Sequence, residues 1–401
     1  MKISVVIPTY WTSTNPIIQH QVPDAIYDHP TPLESQSTLP RLLCDLKSTD
    51  MPKGSTTIAV IVAVTHQALE EKAKEKTKEI LRSYKDYFDI EQFSVSTLRK
   101  INSKDQNLAQ LLSLYGYSNV RNVGLAIAQI LKSDILVFLD DDVVVNDLGY
   151  FHKAQEYVGG KVGGKLLGAI AGYYISKDCN YYLDVDPKAW WKFCWPKERK
   201  MNEAFKVIES KQRLTETTFA FGGNMLLHWK MFEKVPFDPY ITRGEDMDLL
   251  VNAKMFGFKF MLDTKLRVLH LPGEMKSQWS EMRQDLYRFL YMREKLLRQK
   301  DARNIERVSI KSLKPYPGYF LAPEILLKFA ISSCLNSFHS IFRGNLENFR
   351  EFTQNIRQIP PALRFAREHC SDYFEFQKKW STYMPKIRGD RGLRNILTSS
   401  S

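Results

Sequence analysis

Cysteine is scarce: Cys44, Cys179, Cys194, Cys334 and Cys370 are scattered over 401 residues, odd in number and without C-x-x-C spacing. That excludes a disulfide framework or a cysteine zinc site as the basis of the fold. No run of about 18 uncharged apolar residues occurs, the length a membrane-spanning helix needs. The best stretch, "APEILLKFAISSCLNSFHSIF", contains Glu324 and Lys328 and reads as a packed or surface-lying helix. A G-x-x-x-x-G-K-[ST] phosphate loop is missing, and "GGKVGGKLLGAIAGYYI" departs from the dinucleotide pattern because a strand, not a helix, is expected after it. There is no internal repeat. The N-terminal "MKISVVIPTYW" has a short apolar run without a small-residue cleavage site, so it reads as a strand and not a signal peptide, and a cytoplasmic location is expected.

What is present is enough apolar material for a real core, 44% hydrophobic and 12% aromatic, and an uneven charge. Residues 1–275 carry 34 Lys+Arg against 33 Asp+Glu, while 276–401 carry 23 against 12, so +11 of the net +12 falls in the C-terminal third. This predicts a boundary near 275, with domains 1–275 and 276–401, and an anionic partner for the tail.

Along the first 150 residues, strand and helix patterns alternate. "KISVVIPTY" reads as a strand, 11–37 as a loop, and "STLPRLLCDLKS" as a helix. "TTIAVIVAV" is a second strand, followed by a helix over 65–88 in which Leu69, Ala73, Ile80, Leu81, Tyr84 and Phe88 fall at helical spacing beneath a charged surface. A third strand near 91–98, the helix "SNVRNVGLAIAQILKS" and the strand "ILVFL" complete a βαβαβαβ order. That order predicts a doubly wound α/β domain with a mainly parallel sheet flanked by helices. Farther on, "TTFAFGGNMLLHW" reads as a strand entering a Gly-Gly turn and "TRGEDMDLLVNAKMFG" as a helix with an acidic start. "FKFMLDTKLRVLHLPG" reads as a strand pair ending in His270, and the region from 276 as mainly helical.

Chemistry concentrates where Asp140, Asp141 and Asp142 follow the apolar strand at 135–139. Ligands bind at that edge of an open α/β sheet, and three adjacent carboxylates repel one another unless something positive joins them. A divalent cation would remove the conflict; a solvated, helix-capping turn is the plain alternative. Three further features bear on this one: the "FGGN" turn at 221–224, Glu245-Asp246 in the first turn of a helix, and His270 at a strand end. Carboxylates suit a hard cation and an imidazole shifts preference from Mg²⁺ toward Mn²⁺, which makes Asp142 and His270 candidate ligands. Glu245 and Asp246 complement a helix dipole, and a carboxylate there can also take a proton from an attacking hydroxyl.

The ordered series "SVVIPTY", "RNVGLAIA", "VFLDDDV", "FGGNML", "RGEDMDLL" and "LHLP", spanning about residues 1–275, resembles the GT-A glycosyltransferases, most closely family 2 and related inverting enzymes. The resemblance implies a GT-A fold and transfer of a sugar from a nucleoside-diphosphate sugar to a carbohydrate, lipid-linked or small-molecule hydroxyl acceptor. By it, Pro8, Thr9 and Tyr10 line the nucleoside pocket with Arg121 and Asn122 nearby. Asp140 faces the ribose or the metal, Asp141 lies within the donor site, and Gly223 and Asn224 border the donor sugar or acceptor. Asp142 and His270 hold the metal with Asp140, and Asp246 is the base, assisted by Glu245, in an inverting displacement. The sequence departs from the family where relatives place an acid after the second strand: "IVAVTHQ" offers only Thr65 and His66, which leaves UDP or GDP as the donor nucleotide.

Two other classes compete with this reading. A metal-dependent nucleotidyltransferase could use the same carboxylates. A nucleic-acid-binding protein would use the basic tail, but that tail shows helical apolar spacing and no recognised module. For the tail itself, packing on the catalytic domain competes with binding to an anionic membrane, at the inner membrane face, with Trp190, Trp191 and Trp195 contributing.

Overall fold

A computed structural model of the chain describes residues 1–19, 27–271, 278–302 and 304–398. Its centre is an eleven-stranded mixed, mostly parallel sheet. Eight strands, β1 (Ile3–Thr12), β2 (Thr56–Val64), β3 (Asp89–Phe93), β4 (Ile135–Leu139), β5 (Val143–Val144), β6 (Lys165–Ile175), β7 (Asn224–His228) and β8 (Lys259–His270), lie in the order β3-β2-β1-β4-β7-β6-β8-β5. Thr31–Pro32, Lys161–Val162 and Leu214–Glu216 pair with its members. β3, β2, β1 and β4 run parallel, and β7 is antiparallel to both β4 and β6. The parallel strands are almost wholly buried, as their unbroken Val/Ile/Leu runs require when helices cover both faces.

The chain winds from β1 through β2 to β3 on one side, then returns to place β4 on the other side of β1. This reversal opens a crevice beyond the carboxyl ends of β1 and β4. Tyr10 and Asp140 stand at those two ends. The helix Tyr117–Ile130, buried along nearly its whole length, feeds β4 and aims Arg121 at the same crevice.

Three expected elements lie elsewhere. The strand expected at 91–98 is β3 at 89–93, because Ser94 and Thr97 form a capping box that starts a helix, Val95–Lys104, at once. The strand expected before the Gly-Gly turn instead follows it, as β7, while 217–223 is irregular. The expected strand pair is the single strand β8: its "DTK" kink is a register shift between Leu262 and Arg267, with Asp263 buried and paired with Arg213 at 3.0 Å.

The C-terminal region is helical as expected: Gln278–Arg298, Ile325–Phe342, Leu346–Arg357, Ile359–His369, Asp372–Ile387 and Arg391–Thr398. The expected boundary at 275 lies outside the described residues. On either side of it the chain shares one apolar core, with Val6, Phe138 and Leu249 in the same cluster as Leu286, Phe289 and Trp380. Trp380 donates to the Phe232 carbonyl at 2.9 Å and Tyr373 to that of Pro236 at 3.1 Å. Lys295, fully buried, donates to Asp238 at 2.8 Å, to both oxygens of Asp248 at 2.6 and 2.7 Å, and to Asn252 at 3.1 Å. The helix Gln278–Arg298 is thereby fastened to the helix Glu245–Met255.

Candidate active site

A cleft of about 270 Å³ occupies the crevice. Asp140, Asp141 and Asp142 turn over its floor between β4 and β5. Asp142 Oδ2 lies 3.3 Å from Nε2 of His270, at the end of β8, which is paired with β5 so that His270 stands opposite Val143. The imidazole stacks on Tyr174, ring centroids 4.5 Å apart, and Tyr174 packs against Phe221 on its other contact. Burial pushes the Asp142 carboxyl up, but the hydrogen bond and charge of His270, with the charge of His29, outweigh it and hold the pKa below the ordinary value. Asp141 goes the other way: burial, then the neighbouring Asp142 charge, push it up to about 8 despite a hydrogen bond from Thr38 at 3.0 Å.

Arg121 links the two acidic halves of the cleft. Its Nη2 donates to Asp140 Oδ1 at 2.8 Å and its Nε to Glu245 Oε1 at 3.4 Å. Burial alone would lower the guanidinium pKa, but Asp140, Tyr10 and Glu245 together raise it, so Arg121 remains charged. Across the cleft, Gly244 takes φ +70° immediately before the helix Glu245–Met255. A Cβ there would fall 2.2 Å from Arg288, so both backbone and space call for glycine. Glu245 is pushed up to about 7 by burial and then by the Asp246 charge, against Arg121. Asp246 is raised by burial, while the Met247 and Gly222 amides that donate to its two oxygens, at 2.7 and 2.9 Å, pull it down. Gly223 must be bare because a Cβ would meet Asp140 Oδ2 at 2.3 Å and the Tyr174 oxygen at 2.5 Å; its amide donates to that oxygen at 2.8 Å.

Of the residues expected here, Tyr10, Arg121, Asp140, Asp141, Asp142, Glu245, Asp246 and His270 line one cleft, with Gly223 packed against Asp140. Four expected residues point elsewhere. Pro8 is buried within β1, and Thr9 donates to the Ile61 carbonyl at 2.9 Å. Asn122 exchanges two 2.9 Å hydrogen bonds with the Phe237 backbone. Asn224 accepts from Tyr150 at 2.7 Å and donates to the Tyr173 and Leu266 carbonyls. Each satisfies the scaffold beneath the site and has no side chain facing the cleft.

The far wall contains residues that sequence patterns did not single out. Lys197, Arg243, Arg288 and Tyr316 line it beside Asp28 and Tyr117. Arg243 pairs with Asp28 at 2.9 Å, Lys197 with Asp285 at 2.9 Å, and Arg288 donates to Tyr316 at 2.6 Å. Arg288 and Tyr316 belong to the C-terminal region, which therefore completes the cleft. The cluster of Trp190, Trp191 and Trp195 divides: Trp195 is buried against Phe320 and Phe329, Trp191 stacks on His339, and Trp190 is exposed.

A cation can be accommodated. Asp142 Oδ1 is buried without a hydrogen-bond partner among the described residues, and it sits beside an imidazole. No three His, Cys, Asp or Glu side chains converge on a common point among those residues. Asp140, expected as a ligand, has one oxygen on Arg121 and the other 3.2 Å from Tyr174. A cation bound here would thus have two protein ligands, Asp142 and His270, with its other positions open to substrate oxygens and water, as at many phosphate-bound cation sites.

No family model and no curated protein matches the chain. Solved structures to which it is similar include a mannosyltransferase, PcManGT, from Pyrobaculum calidifontis in complex with GDP-Man and Mn²⁺: 10% identity, 95% of this chain, 87% of that one, TM-score 0.47. S. aureus TarS is similar at 12% identity over 89% of this chain and 55% of that one, with TM-score 0.39. TarS 1–349 in complex with UDP gives 14% identity, coverage of 89% and 92%, and TM-score 0.38. Similarities of this size leave the activity to be read from the site itself.

Proposed function

We propose that this protein is a metal-dependent glycosyltransferase, moving a sugar from a nucleoside-diphosphate donor (UDP or GDP) to a hydroxyl acceptor with inversion at the anomeric carbon. The observation that carries the reading is the meeting, in one cleft, of the Asp142–His270 pair with its orphaned oxygen and the Glu245–Asp246 pair at a helix start. The GT-A motif series in the sequence supports it. A divalent cation bound by Asp142 and His270 would neutralise the charge that grows on the departing diphosphate.

The chain's own residues do the rest. Tyr10 and Tyr117, whose rings pack edge to face with centroids 5.0 Å apart, form an apolar wall of the cleft against which a nucleoside base can rest. Arg121 fixes Asp140, which is placed to accept from donor hydroxyls. Asp246, held by two backbone amides, takes the proton from the acceptor hydroxyl as it attacks the anomeric carbon. Only one lone pair on each of its oxygens is used, so it keeps accepting capacity. Glu245 is the supporting acid. The cations Lys197, Arg243 and Arg288 line the same cleft and are available to anionic groups of either substrate.

The test is a panel of UDP- and GDP-sugars assayed for hydrolysis and thermal stabilisation with and without Mn²⁺, since a ligand of the native state raises apparent stability by mass action. The reading expects one nucleotide class to be both hydrolysed and stabilising, and only with the metal. Cleavage of nucleoside triphosphates with no response to any nucleotide sugar would replace it with phosphoryl or nucleotidyl transfer.

A further inference from the structure

The helix Ile325–Phe342 is packed inside out. The side chains it buries include Ser332, Ser333, Asn336, Ser337 and Ser340, anchored by Ile325 and Phe329 at its start. The side chains it shows to solvent are apolar: Leu327 is 63% exposed, Phe338 61% and Phe342 87%, with Ile331 and Ile341 between them. Positions 327, 331, 338, 341 and 342 recur at helical spacing and form one stripe. A helix of a water-facing domain should present the opposite face.

The buried polar stripe is largely satisfied within the helix, although the Ser333 hydroxyl has no hydrogen-bond partner among the described residues. Asn336 donates to the Ser332 carbonyl at 2.8 Å, Ser337 to that of Ser333 at 2.9 Å and Ser340 to that of Asn336 at 2.8 Å. The small side chains also let the antiparallel helix Leu346–Arg357 approach closely, with Ser337 and Thr353 hydroxyls 3.4 Å apart. The inverted face is therefore built into the packing of the hairpin.

This helix is also the only one among the described residues long and apolar enough by composition to cross a membrane. Its 18 residues extend about 27 Å, short of the ~30 Å hydrocarbon core. Spanning would also strip the serine face from its partner helix. Lying in the interface requires neither change.

We infer that this face is a docking surface for an anionic lipid leaflet, with Ile325–Phe342 lying in the membrane plane. Charge selects lipid over a second copy of the chain. Lys328 lies beside the stripe, Arg343 ends it and Arg350 follows on the next helix, outnumbering Glu324 and Glu347 at the starts of the two helices, within a region whose excess is +11. An isologous dimer would bring two such positive faces together, whereas anionic headgroups complement them. Aromatic residues continue the surface: the turn Trp190–Lys192 packs on this helix, Trp191 stacks on His339, and Trp190 and Phe193 are exposed. Exposed Trp is the side chain expected at headgroup depth.

Docking does not depend on the sugar-transfer reading, and its test needs no turnover. The full-length protein is floated with vesicles of phosphatidylcholine, with and without about one-third phosphatidylglycerol, at low and high salt. The expected result is retention on the anionic vesicles, release by salt, and weaker retention on neutral ones. Phe338→Glu and Phe342→Glu, at exposed positions outside the cleft, should each lower partitioning about tenfold or more with the melting temperature unchanged. Lys328→Glu with Arg343→Glu should abolish the preference for anionic lipid. Failure to bind either vesicle, or binding unaffected by the Glu variants, overturns the inference. A lipid-free dimer that Phe338→Glu converts to monomer also overturns it, assigning the face to a second copy.

Discussion

Lys295→Met should be among the most damaging single substitutions outside the cleft. It keeps most of the side-chain volume and removes only the ammonium, which now serves Asp238, Asp248 and Asn252, with all three ionisable groups fully buried. Taking one partner from a buried ion pair costs ~3–5 kcal/mol because the other charge is left uncompensated. Here two carboxylates would be stranded, so the upper half of that range is expected. Against a total stability of ~5–15 kcal/mol for a typical native protein, that is a large fraction. Chemical denaturation followed by circular dichroism measures it. The pH dependence gives a second reading. Burial already pushes Asp248 up to about 6 in the presence of the lysine. Without it the folded state holds more protons than the unfolded state from the ordinary carboxylate pKa upward, so variant stability falls as pH rises through that raised value. Lys295→Met should accordingly be less destabilised at pH 5 than at pH 8. Asp248→Asn in the same background should restore part of the loss. A destabilisation below about 1 kcal/mol, with no change between the two pH values, would refute the reasoning that this cluster bears a charge.

In the cleft, chelation followed by metal add-back should abolish and restore transfer, with Mn²⁺ the best restorer. Asp142→Ala should lose both metal response and turnover, and full activity in chelator would remove the metal from the mechanism. Asp246→Asn should lower kcat by ~10²–10⁴-fold with donor binding retained, read by comparing turnover with nucleotide-sugar titration. The pH–rate profile should rise through about 7, the value to which burial and Asp246 push Glu245. The acids work ionised, so activity is lost as pH falls below that value, and the apparent pKa belongs to the pair. A flat profile between pH 5.5 and 8 would show that neither acid has to ionise.

Much of the cleft was legible in the sequence because local patterns report strand ends. The run Ile135–Leu139 closes on three acids, and Glu245-Asp246 follows a glycine into an apolar helix; both placements need only neighbours in the chain. Of the misplaced elements, one failed for a local reason and one for a distant one. Val95 looked like strand, but the Ser94 cap starts a helix there. The "DTK" of β8 looked like a turn, but Asp263 is buried on Arg213, fifty residues away, and that partner keeps the strand continuous. Arg288, Tyr316 and Lys197 were not legible, since they reach the cleft only through the packing of the C-terminal helices. Asn122 and Asn224 show the converse: a polar residue inside a motif can be spent wholly on the scaffold, on backbone groups and, for Asn224, also on the Tyr150 hydroxyl.

The core shared across position 275 also has a consequence for synthesis of the chain. A polypeptide emerges from its amino end, and early segments fold as they appear. The sheet through β8 is complete by residue 270, yet the amine that neutralises Asp238 and Asp248 arrives at 295, the remaining cleft wall at 316, and the Tyr373 and Trp380 donors that cover the 232–236 carbonyls later still. Until then the helix Glu245–Met255 carries unpaired acids against an open face. The α/β half is thus incomplete until the residues from 295 to 380 have emerged, and versions cut at 275 should lack that cleft wall and leave Asp238 and Asp248 without their lysine.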